Sequence, residues 1–357
     1  MTHQSTTHQP LLDVEDLTVE FRRRRRTPPL RAVDGVSLSI AAGETVGLVG
    51  ESGSGKSTLG RAVLGLSPVH SGRIRFEGRD ITHASPRTRR ELSARLQVVF
   101  QDPYSSLNPA RTIGQALAEP LMVHRRTDQR QARERIRTML ERVGMPPDTA
   151  HRYPGQFSGG QRQRIAIARA LMLEPRLVIC DEPVSALDLS IQAQVMNLLA
   201  DLQKDLGLSY LFIAHDLPVV RHLSHRIVVL YRGRVMESGP AEAVYADPVH
   251  PYTQALLAAV PEPDPRAQRA RTANRMPNPT ATPTPGEPAF AGCVFARRCP
   301  LVVDLCHSER PHLLPVAGRR SSGDRAVACH RSTDLHPAHP PTPVRPTGKE
   351  APCSDSA

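Results

Sequence analysis

Residues 50–58 read GESGSGKST, which satisfies the spacing G-x-x-x-x-G-K-[ST]. The nine positions are Gly50, Glu51, Ser52, Gly53, Ser54, Gly55, Lys56, Ser57 and Thr58. Thr45 to Val49 before them is an apolar run with the character of a buried strand, and Leu59 to Leu66 after them opens a helical pattern. Between a strand and a helix, such glycines let successive backbone N–H groups curl round an anion, and the helix N-terminus adds its positive dipole end. The spacing gives Lys56 reach to the β- and γ-phosphates of a nucleotide and leaves the Ser57 hydroxyl as a Mg²⁺ ligand. The chemistry implied is nucleotide binding.

Two further stretches carry chemistry. In LVICDEP, 177–183, an apolar strand delivers Asp181 to its edge, where a Mg²⁺ held by Ser57 needs a carboxylate. Glu182, one residue on, is placed to orient and deprotonate an attacking water. FSGGQ, 157–161, opens a helix over Arg162 to Leu173, and two glycines at a helix start make a second anion site in Ser158, Gly159, Gly160 and Gln161. One nucleotide does not need two such sites from one chain, so a second copy is implied.

The order of phosphate loop, Gln101, SGGQ, DEP, SALD and an isolated His215 resembles the ATP-binding subunits of ABC transporters over roughly residues 10 to 260. The resemblance implies ATP sandwiched between the phosphate loop of one subunit and the SGGQ of its partner, so that 158–161 act in trans. It further implies that Phe21 stacks on adenine, Gln101 contacts Mg²⁺ or water and relays the nucleotide state, Asp188 lies in a loop at the dimer interface, and His215 touches the γ-phosphate. FQDPYSSLNP (100–109), CDEPVSALD (180–188), SIQAQV (190–195) and HPYTQALLAAVP (250–261) are similar to the oligopeptide/dipeptide importer branch, the CDEPVSALD wording to its F-type subunit. HPYTQALLAAVP serves only as a family mark, with no chemical reason attached. The branch commonly has His-Glu where Gly155–Gln156 stand.

These residues need a frame to hold them. Strand patterns over Leu11–Phe21, Val36–Ile40, Arg73–Phe76, Leu96–Phe100, Arg176–Cys180, Ser209–Ala214, Arg226–Tyr231 and Arg234–Glu237 alternate with helices. The fold class is therefore α/β, with a parallel sheet covered on both faces. With the resemblance, this becomes a P-loop NTPase core of ABC type. Between about 102 and 174 only helices are expected, Thr112–Val123 and Asp128–Val143 among them. The latter carries Ile136, Met139, Leu140 and Val143 in one stripe, which implies an inserted helical subdomain. The domain expectation is a flexible start (1–10), an ATPase domain (11–260), a Pro-rich linker (261–291), a Cys-rich C-terminal extension (292–331) and a disordered tail (332–357).

In that extension Cys293, Cys299, Cys306 and Cys329 fall close together. In a cytosolic chain clustered thiols suggest metal rather than disulfides, and four thiolates suit a [4Fe–4S] cluster or Zn²⁺ equally; free thiols packing a small satellite core are the alternative. The GCxFxxRCP arrangement resembles the C-terminal extension of peptide-importer ATPases, some of which carry a [4Fe–4S] cluster. His307, His312 and His330 are spare ligand candidates; Cys180, in a buried strand, and Cys353, in the tail, are not.

Of 357 residues the net charge is +11, mostly arginine, with Lys at 56, 204 and 349. The charge is scattered except for Arg22–Arg26, read as a solvated loop between two strands. Few aromatics and no Trp argue against a base-stacking surface, and no apolar run is long enough to span a membrane. The resemblance thus leads to an ATP- and Mg²⁺-dependent subunit at the cytoplasmic face of the cell membrane. Its expected partners are two transmembrane permease subunits, a sister ATPase subunit forming a heterodimer, and an extracytoplasmic substrate-binding protein, with no specific nucleic acid. Peptide is the branch's default cargo, with nickel or sugar as alternatives. A soluble ABC-type ATPase acting on nucleic acid in repair or translation is the rival, supported by the basic balance.

Overall fold

The computed structural model describes residues 9–22, 29–102, 106–124, 128–260, 291–316 and 325–332. Most of the arginine run, the Pro-rich linker (261–290) and the tail from 333 lie outside the described residues, as does the start of the chain to residue 8.

The strands are β1 (Leu12–Phe21), β2 (Leu30–Ile40), β3 (Thr45–Val49), β4 (Ser71–Phe76), β5 (Arg79–Asp80), β6 (Leu96–Val99), β7 (Leu177–Asp181), β8 (Ser209–Ala214), β9 (Arg226–Tyr231), β10 (Arg234–Pro240), β11 (Leu314–Pro315) and β12 (Ala326–Val327). The helices are α1 (Lys56–Leu64), α2 (Pro86–Leu92), α3 (Ile113–His124), α4 (Gln129–Arg142), α5 (Gly159–Leu171), α6 (Leu189–Leu206), α7 (Leu217–Leu223), α8 (Ala241–Ala246) and α9 (Pro251–Ala258), with a short turn of helix at Leu305–Ser308.

The main sheet runs β11-β12-β10-β9-β3-β8-β7-β6, parallel from β9 to β6 and antiparallel beyond β9. A second, antiparallel sheet runs β2-β1-β4-β5. The expected parallel sheet is therefore only the centre of the structure. Strands β1, β2, β4 and β5 pair among themselves, with bulges in the β1–β2 pairing, while β3 between them joins the main sheet. Leu30 to Arg31 already belongs to β2, whose start the pattern over Val36–Ile40 did not reach.

Side chains alternate across the main sheet, as strand geometry requires. Leu177 and Ile179 of β7, Leu211 and Ile213 of β8, and Val228 and Leu230 of β9 share a core with the antiparallel sheet and α1. Val178 and Cys180, Tyr210 and Phe212, and Ile227 and Val229 face the opposite core, which holds α3 to α9. Each buried aliphatic side chain contributes roughly 1.5–3 kcal/mol of transfer free energy, so this two-faced layer fixes the strand ends that carry Val49, Asp181 and Ala214.

Between β6 and β7 the described chain is helical. Asp128 caps α4, its side chain accepting from Gln131 N, and Ile136, Met139 and Leu140 are buried as one stripe. α5 begins at Gly159, three residues before the helical pattern was expected. The Ser158 hydroxyl caps it and Gln161 completes a capping box, so the two glycines form its first turn. Likewise α1 begins at Lys56, directly after Gly55 in a left-handed conformation.

The short helices α2, α7 and α9 escaped the periodicity analysis; each spans about two turns and has proline in its first two positions. The Cys-rich segment is stitched into the main sheet, since β12 pairs with β10 and β11 with β12.

Candidate functional site

β3 ends at Val49 and the chain turns through 50–55 into α1. Gly55 has φ 103°, and a Cβ there would lie 2.2 Å from the Ala32 carbonyl oxygen, so only glycine fits the entry to the helix. Lys56 is 4% exposed, and its Nζ donates to the carbonyl oxygens of Gly50 (2.7 Å) and Glu51 (2.9 Å). Burial lowers its pKa, opposed by the charges of Glu182, Asp181 and Glu51. The lysine thus folds back over its own loop and ties together two of its backbone carbonyls.

β7 brings Asp181 and Glu182, and β8 brings His215, to the same edge. Ser57 Oγ donates to Asp181 Oδ1 at 2.6 Å, placing hydroxyl and carboxylate as adjacent hard oxygen donors. Glu182 has φ 49°, a strained conformation for a side-chain-bearing residue, and its N–H donates to the Ile213 carbonyl. That turn aims its carboxylate inward. Gln101 Nε2 donates to Glu182 Oε2 at 3.1 Å, Lys56 Nζ is 4.0 Å from Oε1, and His215 Nδ1 is 3.7 Å from Oε2. Gln101, Lys56, Asp181, Glu182 and His215, from four separate stretches of chain, therefore converge.

The glycine pair lies elsewhere in the hydrogen-bonding pattern. The Ser158 N–H donates to Gln161 Oε1, and the Gln161 N–H to Ser158 Oγ. Gly160 packs on α6; a Cβ there would meet Ile191 Cγ2 at 2.5 Å. Asp188 caps α6, accepting from Ile191 N and Ser190 Oγ, and these bonds lower its pKa. Ser185 Oγ donates to the Glu182 carbonyl, tying the 185–188 loop back to the acidic residue. Phe21 ends β1 and is 38% exposed.

Two residues that the sequence did not single out also touch the loop. The Glu51 N–H donates to the Tyr252 hydroxyl at 2.9 Å, and Arg298 grips the Glu51 carboxylate through both Nη atoms, at 2.8 and 2.9 Å. Tyr252 supplies the physical reason for the HPY wording: His250 caps α9 through Nδ1, Pro251 takes the first helical position, and the tyrosine ring reaches the phosphate loop. The His-Pro pair was a legible helix start. Arg298 had no local signal, because its partner lies 247 residues away in sequence.

The four cysteines gather in one place. Cys293 and Cys306 are buried in the core with Phe295 and Ala296, and the Cys293 N–H donates to the Cys306 carbonyl. Burial raises the Cys293 thiol and pushes Cys299 up to about 11, the neighbouring thiols adding to both. Among the described residues no group of three or more His, Cys, Asp or Glu side chains is arranged to hold a metal ion. Cys293, Cys299, Cys306 and Cys329, the thiols of the expected [4Fe–4S] or Zn²⁺ site, nevertheless lie near enough to influence one another's ionisation. Of the spare histidines, His330 already bonds the Glu309 carbonyl. Among the described residues no helix is long and apolar enough to cross a membrane.

A mononucleotide-type loop, an acidic strand end and a separate glycine-led helix define a nucleotide-binding cassette. The ABC transporter family matches residues 33–185, and the C-terminal region of oligopeptide/dipeptide transporters matches 236–306. The chain is 48% identical over 334 residues to a "Probable peptide ABC transporter ATP-binding protein" of Sinorhizobium fredii, covering 92% of each chain. It is also 48% identical to the oligopeptide transport ATP-binding protein OppF of Escherichia coli K12, covering 85% of this chain and 92% of that one. Among solved structures it resembles the ATP-binding cassette MJ0796 in a dimeric post-hydrolysis state with ADP and Pi (28% identity, TM-score 0.59, 64% of this chain and 98% of that one). The CbiO1 cassette of Clostridium perfringens is similar at 30% identity and TM-score 0.60, covering 66% of this chain and 91% of that one.

The chain belongs to the ATP-binding, ATP-hydrolysing subunits of ABC transporters, in their oligopeptide/dipeptide branch.

Proposed function

We propose that this chain powers peptide import across the cytoplasmic membrane by binding and hydrolysing ATP at a site it shares with a second ATPase subunit. The convergence of Lys56, Gln101 and His215 on Glu182 carries the reading. Residues 50–58 hold the triphosphate through backbone N–H groups and Lys56. Ser57, Asp181 and Gln101 offer the hydroxyl, carboxylate and amide oxygens that would hold Mg²⁺, which when bound neutralises phosphate charge. Glu182 orients the attacking water and takes its proton, Gln101 steadies the carboxylate, and His215 stands where the γ-phosphate arrives. Phe21, exposed at the end of β1, is the adenine platform. Catalysis is then positioning plus charge neutralisation.

The second face comes from the partner's counterpart of Ser158–Gln161. The membrane subunits dock on the helical layer, where a groove of about 360 Å³ is lined by Phe100, Pro120, Val123, Ala166, Ala170 and Leu173. The assembly then comprises two permease subunits, a sister ATPase and a substrate-binding protein. Relatives named for peptide transport at about half identity support this reading over action on nucleic acid or a nickel or sugar cargo.

Glu182→Gln tests it. In the assembled importer, turnover falls by about 10²–10³-fold while nucleotide stays bound; normal turnover would remove Glu182 from the role. A metal at the cysteine island would be held by Cys293, Cys299, Cys306 and Cys329. Anaerobically purified chain with about four iron and four sulfide, or with stoichiometric zinc, would support it; chain free of iron and zinc would reject it.

A further inference from the structure

All three polar handles of Glu51 are occupied. Its carbonyl accepts from Lys56, its N–H donates to Tyr252, and its carboxylate is held bidentately by Arg298. Two of the three come from the C-terminal region. Arg298 is built into place: its side chain is 14% exposed, its guanidinium lies 5.7 Å from the Tyr231 and Phe295 ring centroids, and those rings meet edge to face at 5.3 Å. Tyr231 ends β9, which pairs in parallel with β3 just before the loop. The island is held against the same region by Arg310, which donates to the Asp34 carbonyl, and by Arg234, which donates to the Gly292 carbonyl.

This geometry has an electrostatic purpose. Glu51 follows the first glycine of a loop that must receive a strongly anionic triphosphate. An unpaired carboxylate there would repel it, whereas a bidentate guanidinium cancels the charge and fixes the loop's shoulder. We infer that Arg298 of the cysteine-rich island is a positioning residue for nucleotide binding, acting through Glu51, so that the island sets ATP affinity rather than the hydrolytic step. The inference rests on reading 50–58 as the phosphate cradle.

The test measures Mg-ATP affinity of the full-length chain by titration calorimetry, and kcat and KM in the assembled importer. Arg298→Ala weakens ATP binding about tenfold, raising Kd and KM together while kcat at saturating ATP changes less than about twofold. Arg298→Lys, which keeps the charge but loses the fork, loses about threefold. Glu51→Gln removes the anion that Arg298 neutralises and is the compensating partner in the cycle. The double variant Arg298→Ala with Glu51→Gln recovers most of the affinity that Arg298→Ala loses. A merely structural contact would give two losses and no recovery.

Unchanged affinity in Arg298→Ala, or failure of Glu51→Gln to rescue it, overturns the inference. If Arg298→Ala does not fold, Arg298→Lys decides alone, and unchanged affinity there overturns the inference. Lys56→Ala separates the two readings: it abolishes binding if the cradle is correctly placed, whatever Arg298 does.

Discussion

The phosphate loop and the glycine-led start of α5 are both anion sites by sequence, but they are finished differently. Around 50–58 the chain supplies its own surroundings: Lys56 ties two loop carbonyls together, Ser57 meets Asp181, and Gln101 and His215 face Glu182. At Ser158–Gln161 the polar groups cap their own helix, and the neighbour is the start of α6. One is an assembled half-site; the other is a rigid edge held in place by packing. On the proposed reading, that edge meets the phosphate loop of a second subunit, and hydrolysis belongs to the pair.

Variants that strike one half and spare the other put that contrast at risk. The largest effect falls on Lys56→Ala, which removes the buried cation that the triphosphate displaces from Gly50 and Glu51. ATP affinity of the isolated chain falls by about 10²-fold or more, roughly the 2–3 kcal/mol of a buried charge-assisted contact, as titration calorimetry would read. Gly160→Val should act in the opposite way. Its Cβ would meet Ile191 at 2.5 Å, so α5 and α6 must separate at a cost of about 1–3 kcal/mol. Thermal unfolding would record that loss, while ATP affinity of the isolated chain stays within about twofold. Equal damage to binding would mean the two halves are not separable.

The smallest effect concerns the buttress behind the phosphate loop. His250 is fully buried and its pKa is pushed down to about 3, chiefly by desolvation. Its unfolded value is about 6.5, so below that pH the unfolded chain binds a proton that the folded chain refuses. Its contribution is present above about 6.5 and is lost as pH falls towards 3, at up to roughly 1.4 kcal/mol per pH unit. Denaturant titrations between pH 7 and 5 would show it, and His250→Asn, which retains a side-chain acceptor for the cap, should flatten that dependence.

Local chemistry made most of the site legible. The lysine, serine and acidic residues sit at fixed offsets from apolar strands, and the stripe Ile136, Met139, Leu140 specified α4 because its period is helical. Where the sequence fell short, the cause was distance along the chain or brevity. Arg298 and Tyr252 reach Glu51 across more than 200 residues, and no local pattern encodes such a contact. β11 and β12 are two residues each, too short to alternate.

The central claim is tested most directly by Ser158→Arg, which places a bulky cation on the α5 edge without touching 50–58. The account predicts unchanged ATP affinity for the isolated chain and at least about 10²-fold lower turnover in the assembled importer. Wild-type turnover in the importer, or loss of ATP binding by the isolated chain, would contradict it.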